Sequence, residues 1–304
     1  MNIFMTGGTG FVGTTLAREL TAKGHSVTVL MRKGEPSRHL PAGAKALQGD
    51  PTVRGAWQEQ VPDHEVFINL AGASIFTRWT DEAKRIIRES RILTTRHLVE
   101  AMAPRTGKET LLLSTSGAGY YGYHGDEDLT EDSPPGTDFL ALLSREWEAE
   151  ALRAREHGAR VVLMRFGIVM GRSGGMLAEI VPVFRMFLGA DLGSGNQWLS
   201  WIHEMDLARI FLFLIEESRT LEGPVNCTAP EPVRNREFTR TLGGVLGVPT
   251  FLPPVPGFML RLMKGEFGNV ILQGQRVLPR KLLAAGFRFR HPTLQEALTA
   301  ILKK

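Results

Sequence analysis

Short apolar runs and stretches of helical period alternate through the first half of the chain. "NIFMTG" at the start is followed by a helical pattern from about Phe11 to Lys23, then by "SVTVLMR" (Ser26–Arg32), "AKALQGD" (Ala44–Asp50) and "EVFINLAG" (Glu65–Gly72). A long helical pattern over Asp81–Met102 leads into "ETLLLSTSG" (Glu109–Gly117). A further helix is predicted over Thr137–His157, with "ARVVLMRFGIV" (Ala159–Val169) after it. Short apolar strands separated by amphipathic helices predict an α/β fold, a doubly wound parallel sheet with helices on both faces. After Gly171 the pattern changes to Gly- and Pro-rich segments with shorter helices, which predicts a smaller lobe over the C-terminal edge of the sheet, where ligands bind. The expected division is a nucleotide-binding domain over 1–170, rejoined by 204–229, and a substrate-binding lobe from 171–203 and 230–304.

"TGGTGFVG" sets Gly7, Gly10 and Gly13 directly after the first strand and into the first helix. Gly7 permits a tight turn, Gly10 lets backbone approach a pyrophosphate, and Gly13 permits close packing of helix on strand. The exposed N–H groups of Thr9, Phe11 and Val12 then face a diphosphate at the helix start. At the end of the second strand, where Asp or Glu would hold a ribose 2′-hydroxyl, the chain has Arg32 and Lys33 in "LMRKGE". A cation there suits a 2′-phosphate, so NADP(H) is expected rather than NAD(H). Asp50 is placed to meet the adenine amino group. Leu70, Ala71 and Gly72 of "NLAG" are placed beside the adenosine half, and Ser114 at the end of the fifth strand.

Composition narrows the classes. The 304 residues are 43% hydrophobic and 22% charged, enough for a sizeable core. The start carries no basic leader, and "IFLFLIEE" (Ile210–Glu217) is too short to span a bilayer, so no membrane role is expected. "FLPPVPGFMLRLMKG" (Phe251–Gly265), broken by three prolines and carrying Arg261 and Lys264, reads as packing or a lid over the cleft. Cys227 is the single cysteine, which excludes a disulfide framework and fits a cytoplasmic, reducing setting. Net charge is +4. The cations are scattered except over 276–304, where seven Lys/Arg accompany Glu296 alone. A solvated basic lobe, or one attracting an anionic ligand, is favoured over nucleic-acid binding. "HEMDL" (His203–Leu207) lacks the second His of a zinc-protease helix, so no metal is expected there, and Asp206 is read as a helix N-cap.

The blocks "GGTGFVG", "NLAG", "STSGAGYYG", "MRFGIVMG" and "WIHEMD" occur in the order and approximate spacing of the extended short-chain dehydrogenases/reductases. The chain further resembles an atypical, epimerase-like branch with a C-terminal domain of unknown function. That likeness rests on "RWT" (Arg78–Thr80), "ESRILTT" (Glu89–Thr95), "DFLALLSREWE", "RFGIVMGRSGGML" (Arg165–Leu177), "LGSGNQWLSWIHEMD" (Leu192–Asp206), "GPVNCTAPEPVRNREF" (Gly223–Phe238) and "GQRVLPRKLLAAGFRF" (Gly274–Phe289). The resemblance implies a Rossmann-type sheet, a nicotinamide cofactor, a substrate lobe from the C-terminal third and an unidentified small substrate. It also implies a catalytic Ser at Ser116 and a Tyr-x-x-x-Lys on the following helix. A homodimer paired through the helices of "ESRILTT" and "SREWEAE" is the corresponding expectation.

The Tyr-x-x-x-Lys positions hold Phe139 and Leu143. The chain's tyrosines are Tyr120, Tyr121 and Tyr123, all before that helix, and no lysine lies between Lys108 and Lys264, so no change of register restores the pair. Three readings stay open. Tyr120 or Tyr121 acts as a substitute acid beside Ser116; or a residue such as Glu148 or His203 does the proton transfer; or the protein binds NADP(H) without turnover, as a sensor or interaction protein. Arg165, Gln197, Trp198 and Trp201 are the candidate substrate contacts, with an internal ion pair the alternative for Arg165 and core packing for the tryptophans.

Overall fold

The computed structural model describes residues 1–34 and 40–303. Seven strands form the main sheet: β1 (Asn2–Thr6), β2 (Ser26–Met31), β3 (Lys45–Gln48), β4 (Val66–Asn69), β5 (Leu111–Gly117), β6 (Arg160–Phe166) and β7 (Gly223–Cys227). Their spatial order is β7-β6-β5-β4-β1-β2-β3, and every pairing is parallel. The chain therefore winds outward from β1 to β3, returns beside β1 as β4, and winds the other way. This is the expected Rossmann-type order, and the reversal between β1 and β4 opens a crevice at the C-terminal ends of the strands.

The helices are α1 (Phe11–Ala22), α2 (Asp81–Met102), α3 (Phe139–Leu152), α4 (Gly175–Arg185), α5 (Glu204–Glu216), α6 (Asn235–Leu246), α7 (Gly257–Lys264), α8 (Phe267–Leu272), α9 (Arg280–Ala284) and α10 (Leu294–Leu302). The two-residue period of the strands distributes their side chains. Ile3 and Met5 of β1 pack with Leu16 and Leu20 of α1 and Ile210 and Phe211 of α5. Phe4, between them, joins Leu98 and Met102 of α2 and Ala151 of α3 on the other face. Thr80 caps α2 by accepting the Ala83 N–H, with Asp81 and Glu82 in the first turn, so α2 has the predicted bounds. The predicted 137–157 helix is α3 followed by a 3-10 turn, Arg153–His157.

The predicted strand Ala159–Val169 is divided. β6 ends at Phe166, and Ile168–Met170 leaves the sheet to pair with Trp201–His203. Gly167 sits at the break, where a β-carbon would lie 2.6 Å from the Ser200 carbonyl oxygen. Beyond it a separate apolar cluster joins Leu177, Val181 and Phe184 of α4, Trp201, Phe238 and Leu242 of α6, and Leu298 and Ile301 of α10. Among the described residues no helix is long and apolar enough to cross a membrane, and no group of three or more His, Cys, Asp or Glu could hold a metal ion.

Asp206 corrects the expected cap. His203 is the N-cap of α5, its Nδ1 accepting the Met205 N–H at 3.0 Å. Asp206 lies one turn inside, 1% exposed, and accepts the backbone N–H groups of Arg290 (2.7 Å) and His291 (2.8 Å). Its Oδ1 also pairs with Arg209. One buried carboxylate thus ties the C-terminal segment to α5. Asp206→Ala is expected to lower unfolding stability by about 2–3 kcal/mol, since two part-buried N–H donors lose a charged acceptor. Urea denaturation measures it, and a loss under about 0.5 kcal/mol would contradict this role.

Candidate functional site

The crevice begins at the glycine turn. Gly7 has φ +69°, and a β-carbon there would lie 2.7 Å from the Leu70 carbonyl carbon and 2.8 Å from the Ala71 nitrogen. A side chain at Gly13 would collide with the Gly7 carbonyl oxygen. The turn thus packs backbone on backbone against Leu70 and Ala71. Gly10 is the N-cap of α1 and supplies no side-chain cap. The N-terminal amide dipoles of α1 are therefore left for an external anion, with Thr9, Phe11 and Val12 part-exposed around them. A glycine turn packed on Leu70 and Ala71, at an uncapped helix start, fits a dinucleotide diphosphate. Arg32 and Lys33 lie exposed just beyond β2. Asp50 is part-exposed, with Oδ1 accepting the Thr52 N–H (2.9 Å) and hydroxyl (2.7 Å) within its own turn. Ser114 is buried with its hydroxyl 3.4 Å from Asn69 Nδ2, beneath the crevice rather than on its surface.

The loop after the strand Ile168–Met170 closes on this cradle. β-Carbons at Gly171 and Gly174 would lie 2.7 and 2.6 Å from the Phe11 ring. Glu204 is 3.4 Å from the Thr15 hydroxyl; burial raises its pKa, against the Arg172 N–H and Thr15 hydroxyl that lower it. Neither Phe11 as the seat of this loop nor Glu204 was visible in the local pattern, because the contact spans more than 150 residues.

The residues expected to be catalytic converge on a different task. Arg165 on β6 is 2% exposed and makes a two-pronged ion pair with Glu148 of α3, at 2.8 Å to each oxygen. Ser116 donates its hydroxyl to Glu148 Oε1 at 2.7 Å. Tyr121 is fully buried; its hydroxyl donates to Asn226 (2.7 Å) and accepts from Arg165 Nη1 (3.0 Å). The Tyr120 ring lies flat on the guanidinium, 3.4 Å from its carbon to the ring centre. Burial opposes the charge of Arg165, and the Glu148 hydrogen bonds and attraction outweigh it, so its pKa stands above the ordinary value. Burial pushes the Tyr121 hydroxyl up to about 12, against Arg165 and Asn226, which pull it down. Ser116, Tyr121, Glu148 and Arg165 are thus brought together, as the neutralising shell of one buried cation. Arg165 makes the internal ion pair weighed for it above.

Of the other substrate candidates, Trp201 is a core residue whose indole N–H donates to the Glu231 carbonyl (2.9 Å). Trp198 is part-exposed, flanked by Arg234 and Arg276. Gln197 is buried; Nε2 donates to the carbonyls of Leu192 and Ile271, while Oε1 has no partner among the described residues.

At the start of α3, Phe139 and Leu143 form an apolar plug. Leu143 packs with Trp79, Ile87, Trp147 and Phe267, and Trp79 meets Phe139 edge-on at 5.0 Å. The Lys84 ammonium lies 5.5 Å over the Phe139 ring and pairs with Glu266. Beside the plug is a cleft of about 280 Å³ lined by Trp79, Tyr123, Asp138, Phe139, Glu266, Asn269 and Gln273. Tyr123 is 37% exposed. Burial first, then Asp138 and Glu266, push its hydroxyl up to about 12. A larger hollow of about 450 Å³ lies at the other end of the strands, beside Met1, Glu65 and Leu111. Its Arg105 and Arg160 are spent on backbone carbonyls, and it is remote from the glycine turn.

Comparison with known proteins agrees with this geometry. Residues 3–227 match the NAD dependent epimerase/dehydratase family, and 255–301 match a domain of unknown function, DUF1731. An Arabidopsis thaliana protein called "Epimerase family protein SDR39U1 homolog, chloroplastic" is 40% identical, over 100% of this chain and 87% of its own length. The Bacillus subtilis epimerase family protein YfhF is 37% identical, over 99% and 98%. The crystal structure of human epimerase family protein SDR39U1 (isoform 2) with NADPH superposes with a TM-score of 0.88 at 33% identity, covering 100% of both chains. Thermus thermophilus UDP-glucose 4-epimerase, in complex with NAD, shares the fold at 21% identity and a TM-score of 0.80, over 100% and 98%. The chain belongs to the NAD dependent epimerase/dehydratase family.

Two outcomes are expected of the polar node. Glu148→Gln leaves Arg165 buried without its counter-charge and should destabilise by about 3–5 kcal/mol, whereas Ser116→Ala should cost about 1 kcal/mol; equal losses in urea unfolding would contradict the ranking. The Tyr121 hydroxyl keeps its proton to about pH 12 when folded and to about 10 when unfolded. Its contribution is full below about pH 10 and lost as pH rises to about 12. Tyr121→Phe should flatten the fall in stability over that window; an unchanged slope would refute the shift.

Proposed function

We propose that the chain binds NADP(H) in the glycine cradle and reduces a small carbonyl substrate in the cleft beside Phe139, without a tyrosine–lysine dyad. The observation carrying the cofactor part is the uncapped α1 start facing the Gly7 turn, with Arg32 and Lys33 beyond β2 where a 2′-phosphate would lie. The NADPH in the human structure supports the same choice. Bound NADPH supplies a hydride to a carbonyl carbon; the chain must supply a proton to the carbonyl oxygen.

Ser116 and Tyr121 are held in the Arg165 node, so the proton source is assigned to the cleft. Tyr123 lines it together with Asp138 and Glu266. A hydroxyl whose pKa is pushed up to about 12 stays protonated at neutral pH, so it has a proton to give to the strongly basic alkoxide left by hydride addition, but it is a weak acid and a poor base. This favours the reducing direction, with solvent restoring the proton. The second reading, a non-catalytic NADP(H) sensor, draws on the apolar plug at Phe139 and Leu143.

NADPH is expected to bind at least about tenfold more tightly than NADH in a fluorescence titration, and Arg32→Ala with Lys33→Ala should remove most of that preference. Against a panel of carbonyl compounds, Tyr123→Phe should cut NADPH oxidation by about 100-fold with NADPH affinity unchanged. Full activity in Tyr123→Phe would exclude it as the acid. Tight NADPH binding with no oxidation by any panel member would favour the sensor.

A further inference from the structure

α2 carries four arginines, and three have carboxylate partners: Arg85 with Glu82 and Glu89, Arg88 with Glu146, Arg96 with Glu150. Arg91, the fourth, pairs with no carboxylate among the described residues. Its Nη1 donates to the carbonyls of Ala73 (3.0 Å) and Ile87 (2.9 Å), and its guanidinium carbon lies 5.2 Å from the centre of the Trp147 ring. Nε and Nη2 make no hydrogen bond within the described residues. Burial alone, with no charged neighbour of either sign, pushes its pKa down to about 10. It is still a cation at neutral pH, in a setting that disfavours charge.

The position of this cation is specific. A β-carbon at Gly72 would lie 3.0 Å from the Arg91 guanidinium carbon and 3.2 Å from both terminal nitrogens. Gly72 belongs to the lip whose preceding residues, Leu70 and Ala71, touch Gly7 of the glycine turn. Ser90, next along α2, accepts the Ala73 N–H at 2.9 Å, so the lip is clamped on the helix that presents Arg91. A side chain at Gly72 would cover the guanidinium, and glycine leaves it reachable from the crevice.

We propose that Arg91 is a cofactor-binding residue, whose Nε and Nη2 donate to the anionic diphosphate of the dinucleotide across Gly72. Arg91 thereby supplies, from α2, a fixed positive charge at the cofactor that α3 lacks with Leu143 in place of lysine. The inference rests on the NADP(H) reading above. A diphosphate is the ligand chemistry that suits it: a fork of two donors matches two phosphate oxygens, and the charge lacks only a counter-ion.

The test compares NADPH with adenosine 2′-monophosphate, which has the adenine and 2′-phosphate but no diphosphate. Dissociation constants come from NADPH fluorescence and ligand-observed NMR, beside the thermal midpoint of the ligand-free protein. Arg91→Met is expected to weaken NADPH at least about tenfold while holding adenosine 2′-monophosphate within about twofold. NADPH binding within about twofold of wild type, or equal loss of both ligands, would overturn the proposal. If Arg91→Met does not fold, Arg91→Lys takes its place, keeping the charge but losing the fork; a loss of about threefold or more for NADPH alone supports the proposal, and any other pattern overturns it. A wild-type chain that binds no NADPH would instead sink the NADP(H) reading.

Discussion

A guanidinium taken out of water must be neutralised where it stands, and Arg165 imposes that demand at the C-terminal edge of the sheet. Removing such a charge from solvent carries a penalty of several kcal/mol unless a partner of opposite charge and further hydrogen bonds meet it. Glu148 gives both oxygens, Tyr121 its hydroxyl oxygen, and Tyr120 the face of its ring. Ser116 completes the shell of Glu148. The node joins β5, β6 and α3, and reaches β7 through Asn226. It occupies side chains that a reductase of this architecture would otherwise turn toward its substrate.

With those groups committed, the rest of the site divides into two parts. The glycine turn, the uncapped α1 and the Leu70–Gly72 lip form a cradle made of backbone, which binds by dipoles and shape. The start of α3 does the opposite: Phe139 and Leu143 recruit Trp79 and Phe267, so that α8 from the C-terminal part docks on the nucleotide-binding part. On the proposed reading, chemistry falls to the cleft on the open side of this plug. Gly122, at φ +73°, turns the chain between Tyr121 and Tyr123. Tyr121 before it faces inward to Asn226, and Tyr123 after it lines the cleft beside Asp138.

What could be read from the sequence was whatever is encoded locally. The sheet class and the bounds of α2 follow from apolar period and from Thr80, Asp81 and Glu82 at the helix start. The cradle follows from glycine spacing, since only a residue without a β-carbon tolerates the approach of Gly7 to Leu70. The strand predicted to Val169 ran through its own break, because the cause, Gly167 against Ser200, lies across more than 30 residues. Asp206 looked like a cap because its real partners, the N–H groups of Arg290 and His291, are about 85 residues away. Ser116 and Tyr121 carried the right residue types in the right order; their partners Glu148 and Asn226, 32 and 105 residues distant, determine that they face inward. Arg91 lies within "ESRILTT", and nothing nearby in the sequence marks it as the arginine of α2 that has no carboxylate partner among the described residues.

The central claim is that the Arg165 node stays closed while the cofactor sits in the cradle, leaving proton transfer to the Phe139 cleft. A crystal structure of the chain with NADPH tests it most directly, through the position of nicotinamide C4. The account predicts C4 facing the Phe139–Tyr123 cleft, with Ser116 still donating to Glu148 and the Glu148–Arg165 pair intact. Ser116 or Tyr121 turned onto the nicotinamide, with that ion pair opened, would contradict it.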